Sequence, residues 1–278
     1  MKPNFDLKNK VAVITGGGGA LGGCIAQSLS QAGVKIVILD LTQESAQNTV
    51  DTIKKDGGSA IGFAANVLSE KSIGAISKEI IKRWGRVDIL LNAAGGNMPG
   101  ATIAVDQTIF DLSMDDFKKV TELNLNGSVI PSLIFGKIMA DQKSGSIINY
   151  SSMSVDRVIT RVVGYSASKA GAEEMCLAFG NTYKMPIITS HTMNVFGIRQ
   201  HAEKYIPLLI KKIRDGESVT VHSNSSKTKA GSRFYINTDD VADAILFLLD
   251  TGVPGDKYNI VGEREVDNLE LAQMVAVI

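Results

Sequence analysis

A chain of 278 residues, 44% of them hydrophobic, is long enough for one large domain or two small ones around a substantial core. Lys+Arg and Asp+Glu both number 29, a balance that points to neither nucleic acid nor a membrane surface as partner. Residues 1–10 lack an apolar stretch of signal-peptide length, no apolar run is long enough to span a bilayer, and Cys24 and Cys176 fit no disulfide or metal spacing, so a soluble, cytoplasmic chain is expected.

Val11-Ala12-Val13-Ile14-Thr15 is a short continuous apolar run of the kind found in buried parallel strands. The cluster Gly16-Gly17-Gly18-Gly19-Ala20-Leu21-Gly22-Gly23 then leads into a helical segment at residues 25–29. Glycines between a strand and a helix let the backbone pass close to a pyrophosphate, whose charge meets the N–H groups of the helix start. Gly16, Gly18, Gly19, Ala20, Leu21 and Gly22 are the candidate contacts, although a tight turn alone also accounts for such a cluster. A second strand over residues 35–39 ends at Asp40. There a carboxylate can accept hydrogen bonds from ribose hydroxyls and repel a 2′-phosphate, or simply cap a turn.

A polar helix is expected over residues 43–56 and a third strand over 60–65, ending at Asn66 and Val67, where an amide can face adenine. An amphipathic helix over 73–84 precedes a fourth strand over 87–91, which runs into Asn92-Ala93-Ala94-Gly95-Gly96. Small residues there allow a ligand to lie against the backbone. Residues 97–110 lack periodicity and read as a substrate-side loop. A long helix over 114–137 carries Asn124 in its middle, an amide that either satisfies neighbouring backbone or holds a water near Lys169.

Ser146-Ile147-Ile148-Asn149-Tyr150 reads as a strand ending at Ser151-Ser152, which places a hydroxyl at the carboxyl edge where open α/β sheets bind ligands. In Tyr165-Ser166-Ala167-Ser168-Lys169, helical spacing puts the phenol and the ammonium on one face. The cation is expected to pull the tyrosine down from about 10, and about 4 kcal/mol, in part from a nicotinamide cation, brings it to roughly 7. Such a tyrosine exchanges protons at neutral pH, as carbonyl reduction or alcohol oxidation requires. Strand and helix alternate over roughly the first 185 residues, which argues for an α/β fold with a doubly wound parallel sheet.

The glycine-rich loop after Thr15, Asp40, Asn92-Ala93-Ala94-Gly95, Asn124, Ser152 and Tyr165 to Lys169, in this order, resemble the motif set of the short-chain dehydrogenase/reductase superfamily. Ala20 departs from it where the classical loop has its middle glycine. Gly95-Gly96-Asn97-Met98-Pro99-Gly100 resembles the fructuronate reductase (mannonate oxidoreductase) branch. From about Tyr165 onward the resemblance changes. Residues 187–201, 233–244 and 258–262 look like extended members that act as nucleotide-sugar dehydratases and epimerases, and the chain stops at Ile278 where those members usually continue. A composite is implied, with a Rossmann domain over 1–195 and a substrate-side lobe with returning Rossmann elements over 196–278.

The resemblance implies NAD as cofactor, with NADP disfavoured by Asp40, and no metal. Tyr165 would donate the proton, Ser152 would hydrogen-bond the carbonyl oxygen, Lys169 would hold the ribose, and Asn124 would support a relay water. Asn194 and Val195 would lie beside the cofactor. The substrate implied is sugar-like, a sugar or sugar acid, with Ser152, Asn97, Arg199 and Arg233 as candidate contacts. Either arginine can grip a carboxylate or phosphate bidentately, or lie solvated on the surface. A nucleotide-sugar epimerase with tightly held NAD and a cofactor-binding protein without activity remain open. A dehydratase is disfavoured, because Ser152-Met153-Ser154-Val155-Asp156 lacks the expected Asp-Glu pair. Helices over 114–137 and 166–183 imply a homodimer or homotetramer built on a four-helix bundle. His191, His201 and His222 show no ligand spacing and read as structural, and residues 223–232 read as a mobile loop.

Overall fold

The computed structural model describes residues 6–104, 106–156 and 161–277. In chain order the elements begin β1 (Val11–Thr15), α1 (Ala20–Gln31), β2 (Lys35–Asp40), α2 (Gln43–Lys55), β3 (Ala60–Ala64), α3 (Glu70–Trp84) and β4 (Ile89–Asn92). They continue with α4 (Met114–Gln142), β5 (Ser146–Ser152), α5 (Val163–Tyr183), β6 (Ile187–Thr192), β7 (Val195–Phe196) and α6 (Tyr205–Arg214). The last are β8 (Ser232–Phe234), β9 (Ile236–Asn237), α7 (Thr238–Thr251), β10 (Lys257–Ile260), β11 (Glu265–Asp267) and α8 (Asn268–Ala276).

Among the described residues, seven strands form one sheet in the order β3-β2-β1-β4-β5-β6-β10, and every pair in it is parallel. This is a doubly wound sheet whose order reverses between β1 and β4, the place where such sheets form a crevice at their carboxyl ends. The strands β1, β2, β4, β5 and β6 bury apolar side chains on both faces, as parallel strands covered by helices do. One core joins the sheet to α1, α2 and α7 through Ile25, Leu29, Val50, Ile53, Val241 and Ile245. The other joins it to α3, α4 and α5 through Ile73, Ile80, Phe135, Met139 and Cys176.

Local chemistry sets the ends. Thr42, Ser69 and Ser113 cap α2, α3 and α4 by accepting a backbone N–H, and α3 stops at Gly85 in the left-handed region, φ 73°. The fourth strand starts two residues later than its apolar run suggests. Both backbone groups of Val87 are engaged by the Gln142 side chain, which extends α4 past the expected end at residue 137. Residues 223–232 carry local bonds of their own. Asn224 Oδ1 accepts from the N–H groups of Thr228 and Lys229, and Ser223 bridges Ala230, so the polar stretch is closed on itself. After β6 the chain leaves the sheet, makes the short pair β7–β9, returns through α7 to add β10 at the edge, and then pairs β11 with β8.

Candidate active site

The turn after β1 is built on close approach. Gly16 has φ +64°, and a Cβ there would stand 2.9 Å from Ala94 Cα; at Gly22 it would stand 2.5 Å from the Gly16 carbonyl oxygen. Gly19 is the N-cap of α1 and brings no side chain to its first turn, so the N–H groups at Ala20, Leu21 and Gly22 lie at an uncapped helix start. Gly18 N–H donates to Asp40 Oδ2 at 2.9 Å, and Asp40 Oδ1 accepts from Leu41 N–H at 2.8 Å. Asp40 therefore presents a fixed carboxylate beside the glycine loop at the end of β2. Asn66 is exposed just past β3, with its Oδ1 accepting from Leu68 N–H. Val67 is buried and packs against Gly127 of α4.

Asn92 and Asn124 are braces. Asn92 Nδ2 donates to Ser132 Oγ and to the Ser128 carbonyl, which turns its side chain toward α4. Ala93 and Ala94 donate their N–H groups to Thr15 Oγ1. Asn124, fully buried, accepts from Gly96 N–H at 3.1 Å and donates to the Gly96 carbonyl at 2.8 Å, while its own carbonyl accepts from Ser128. Of the two roles open to this amide, the geometry supplies the first, satisfaction of neighbouring backbone. A Cβ on Gly95 would meet Asn124 Oδ1 and Lys169 Nζ, so glycine is what lets the loop lie between them.

A cavity of about 710 Å³ opens at the carboxyl edge of β4, β5 and β6. Gly95, Asn97, Ser152, Tyr165, Lys169, Asn194, Val195 and Arg233 all line it, so the structure gathers residues spread over much of the sequence. Asn97 Nδ2 donates to Thr102 Oγ1 and Asn194 Nδ2 to the Phe234 carbonyl, which fixes two walls. Arg199 is not among its lining residues. A left-handed φ of 68° turns that segment so that its guanidinium lies over Gly23 of α1, beside a second cavity.

The expected electrostatics of Tyr165 need correction. Burial raises its phenol above the usual range, and the Ser152 hydroxyl pulls it partly back. Lys169 Nζ lies 6.0 Å from the ring centroid and donates one of its N–H groups to the Tyr150 carbonyl at 2.7 Å. Burial lowers the Lys169 ammonium itself to about 8.

Sequence reasoning missed Gln200, Lys204, Tyr205, His222 and Tyr235, which line the same cavity from the chain after β6. No motif marked them, and His222 had read as structural. His191 is structural in placement, buried between Glu173 and Asp156. Cys176 is a buried free thiol, and Cys24 a partly buried one that donates to Asp239. Among the described residues no group of three or more His, Cys, Asp or Glu is placed to hold a metal, and no helix is long and apolar enough to cross a membrane.

Residues 10–194 match the family model for short chain dehydrogenase, and residues 158–277 that for GDP-mannose 4,6 dehydratase. An uncharacterised oxidoreductase, UxuB, of Bacillus subtilis (strain 168) is 34% identical over 263 residues, covering 90% of this chain and 91% of that protein. An uncharacterised oxidoreductase of Haemophilus influenzae is 36% identical over 177 residues, and the match spans 62% of its length. A solved Haemophilus structure, provisionally assigned as a D-mannonate oxidoreductase and holding NAD, superposes with a TM-score of 0.77 at 27% identity, covering 92% of this chain and 95% of that one. With a hydroxyl, a phenol and an ammonium converging beside a glycine-lined crevice and the first model covering more than half of the sequence, the chain belongs to the short chain dehydrogenase family, and it is an oxidoreductase.

Proposed function

We propose that the protein is an NAD-dependent oxidoreductase that interconverts a carbonyl and an alcohol on a sugar acid of the fructuronate or mannonate type. The observation that carries this reading is the charge of the cavity. Lys169, Lys204 and Arg233 line it together with His222, and no Asp or Glu does so among the described residues. A substrate carboxylate entering beside Tyr165 meets cations and no like charge. The name of the Haemophilus neighbour supports the same class.

The residues present fit a dinucleotide. Gly16 and Gly22 leave no room for a Cβ, and the uncapped start of α1 suits a pyrophosphate. Asp40, oriented by Gly18, would hold the adenosine ribose and oppose a 2′-phosphate. When bound, NAD supplies or removes the hydride at the carbonyl carbon. Ser152 donates to the carbonyl oxygen and steadies its developing charge. Tyr165 gives its hydroxyl proton to that oxygen in reduction and takes it back in oxidation. Lys169 is the residue that would hold the nicotinamide ribose.

The match of residues 158–277 to a dehydratase model supports a second reading, a nucleotide-sugar epimerase that keeps its NAD between turnovers. One assay separates the two. Purified protein is supplied with NAD and D-mannonate, or with NADH and D-fructuronate, and NADH absorbance is followed beside a panel of nucleotide sugars. Stoichiometric NADH change with the sugar acids is expected. Epimerised nucleotide sugar with no net NADH would overturn the first reading, and binding of NAD without any turnover would overturn both. Asp40→Ala is expected to narrow the preference for NAD over NADP. Equal NADP affinity in the unaltered protein counts against the role given to Asp40.

A further inference from the structure

A buried charged cluster lies directly behind the cavity and takes no part in the chemistry described above. Its centre is Glu173, fully buried on α5. Glu173 is two four-residue steps beyond Tyr165 and one beyond Lys169, so the three share one helix face. Ser151 Oγ donates to Glu173 Oε2 at 2.9 Å, and His191 Nε2 meets the same oxygen at 2.6 Å. Lys257 Nζ pairs with Oε1, and His191 Nδ1 faces Asp156 Oδ2 at 3.0 Å. Burial works against the ionised Glu173, but Lys257, His191 and Ser151 together outweigh it and hold the carboxyl below its usual range. One carboxylate thus ties α5 to β5 through Ser151, to β6 through His191 and to β10 through Lys257. Ser151 is followed at once by Ser152, and both line the cavity.

We propose that Glu173 is a positioning residue for the Ser152–Tyr165 pair, holding the end of β5 at a fixed distance from the helix face that carries Tyr165 and Lys169. A strand end is otherwise free to shift once its ladder stops, and Ser152 is the last residue of β5. The ladder to β6 ends at Ser152↔Thr192, one residue past the Ser151↔His191 pair that the cluster clamps. Lys257 belongs to the returning strand, so the placement of the catalytic serine depends on a residue that joins the sheet last in sequence. The inference rests on Ser152 and Tyr165 being the catalytic pair.

The test uses full-length Ser151→Ala, Ser151→Thr and Glu173→Gln, each compared by melting temperature, NADH binding by fluorescence, turnover of D-mannonate with NAD, and amide hydrogen exchange across residues 146–156. Ser151→Ala and Glu173→Gln are expected to lose about 10- to 100-fold in kcat, the scale of a small misplacement at a reacting group. Their NADH affinity should stay within about twofold, as follows if only the end of β5 has moved. Exchange should quicken at residues 151–154 while β1 and β4 stay protected. Ser151→Thr keeps the hydroxyl and should restore turnover. Wild-type kcat in Ser151→Ala overturns the proposal. If the unaltered protein does not turn over sugar acids, the reading of its substrate fails separately, and exchange alone decides: unchanged exchange at residues 151–154 overturns the positioning role. Should Glu173→Gln not fold, the two Ser151 variants still decide.

Discussion

At the scale of the residue, the site depends on where Tyr165 and Lys169 spend their hydrogen bonds. Tyr165→Phe keeps the ring and removes the ionisable hydroxyl, so turnover should fall by about 10²–10⁴ while NADH affinity, measured by fluorescence, stays near that of the unaltered protein. Retention of a tenth of the rate or more would sink the assignment. The pH dependence follows from the raised phenol. Reduction needs the protonated form, present below the Tyr165 pKa and lost as pH rises through it; oxidation needs the phenolate and gains over the same interval. Ser152 lowers that pKa, so Ser152→Ala should move both limbs to higher pH as well as slow them, and a shift to lower pH would contradict this. Lys169 works in the opposite sense on stability. Its pKa falls from 10.5 to about 8 on folding, so the unfolded chain holds the proton more tightly between those values. The cost of burying the cation is fully present below about 8 and is relieved as pH climbs toward 10.5. Lys169→Met should therefore match or exceed the unaltered protein in melting temperature at pH 7 while losing activity. A marked drop in melting temperature would show that the bond to the Tyr150 carbonyl outweighs the burial cost.

At the scale of the element, most of the front half was legible in the sequence. Apolar runs marked β1, β2, β3 and β5, and the strand–glycine–helix order marked the crevice, because these signals are local and set by backbone sterics. The placement of Asp40 at a strand end, of Ser152 at the carboxyl edge and of Tyr165 and Lys169 on one helix face could be read because each follows from a fixed offset along a strand or helix. What escaped depended on contacts distant in sequence. The late start of β4 is decided by Gln142, and the brace role of Asn92 by Ser132. Lys204 and Tyr205 come to the cavity from the start of α6 and His222 from the stretch after it, and no local pattern shows that this helix start turns toward the crevice. The raised phenol escaped for a related reason. Spacing puts Lys169 on the right face, but it does not show how deeply the fold buries the phenol, which is what raises it.

At the scale of the molecule, α4 and α5 pack side by side and leave an apolar outer surface. Leu133 is exposed, and Leu123, Met175 and Leu177 are only partly covered, while Ile130 and Ile134 pack inward against the core. A self-complementary pair of such faces is the usual way to bury them, so light scattering at micromolar concentration should report a dimer or larger. Leu133→Glu should shift the population toward monomer, and a monomeric unaltered protein would count against the interface. The returning strand has a consequence of another kind. β10 pairs with β6 across a long excursion, Thr189 facing Lys257, and it is the outermost strand of the sheet. During synthesis β6 must wait with one row of backbone donors and acceptors open until residues 257–260 have emerged. That makes assembly a matter of timing as much as of stability, since an unpaired parallel edge is a template for the wrong neighbour. A ribosome pause between β6 and β10 would leave nascent chains prone to stick to one another, although nothing in the finished fold exposes the edge at fault.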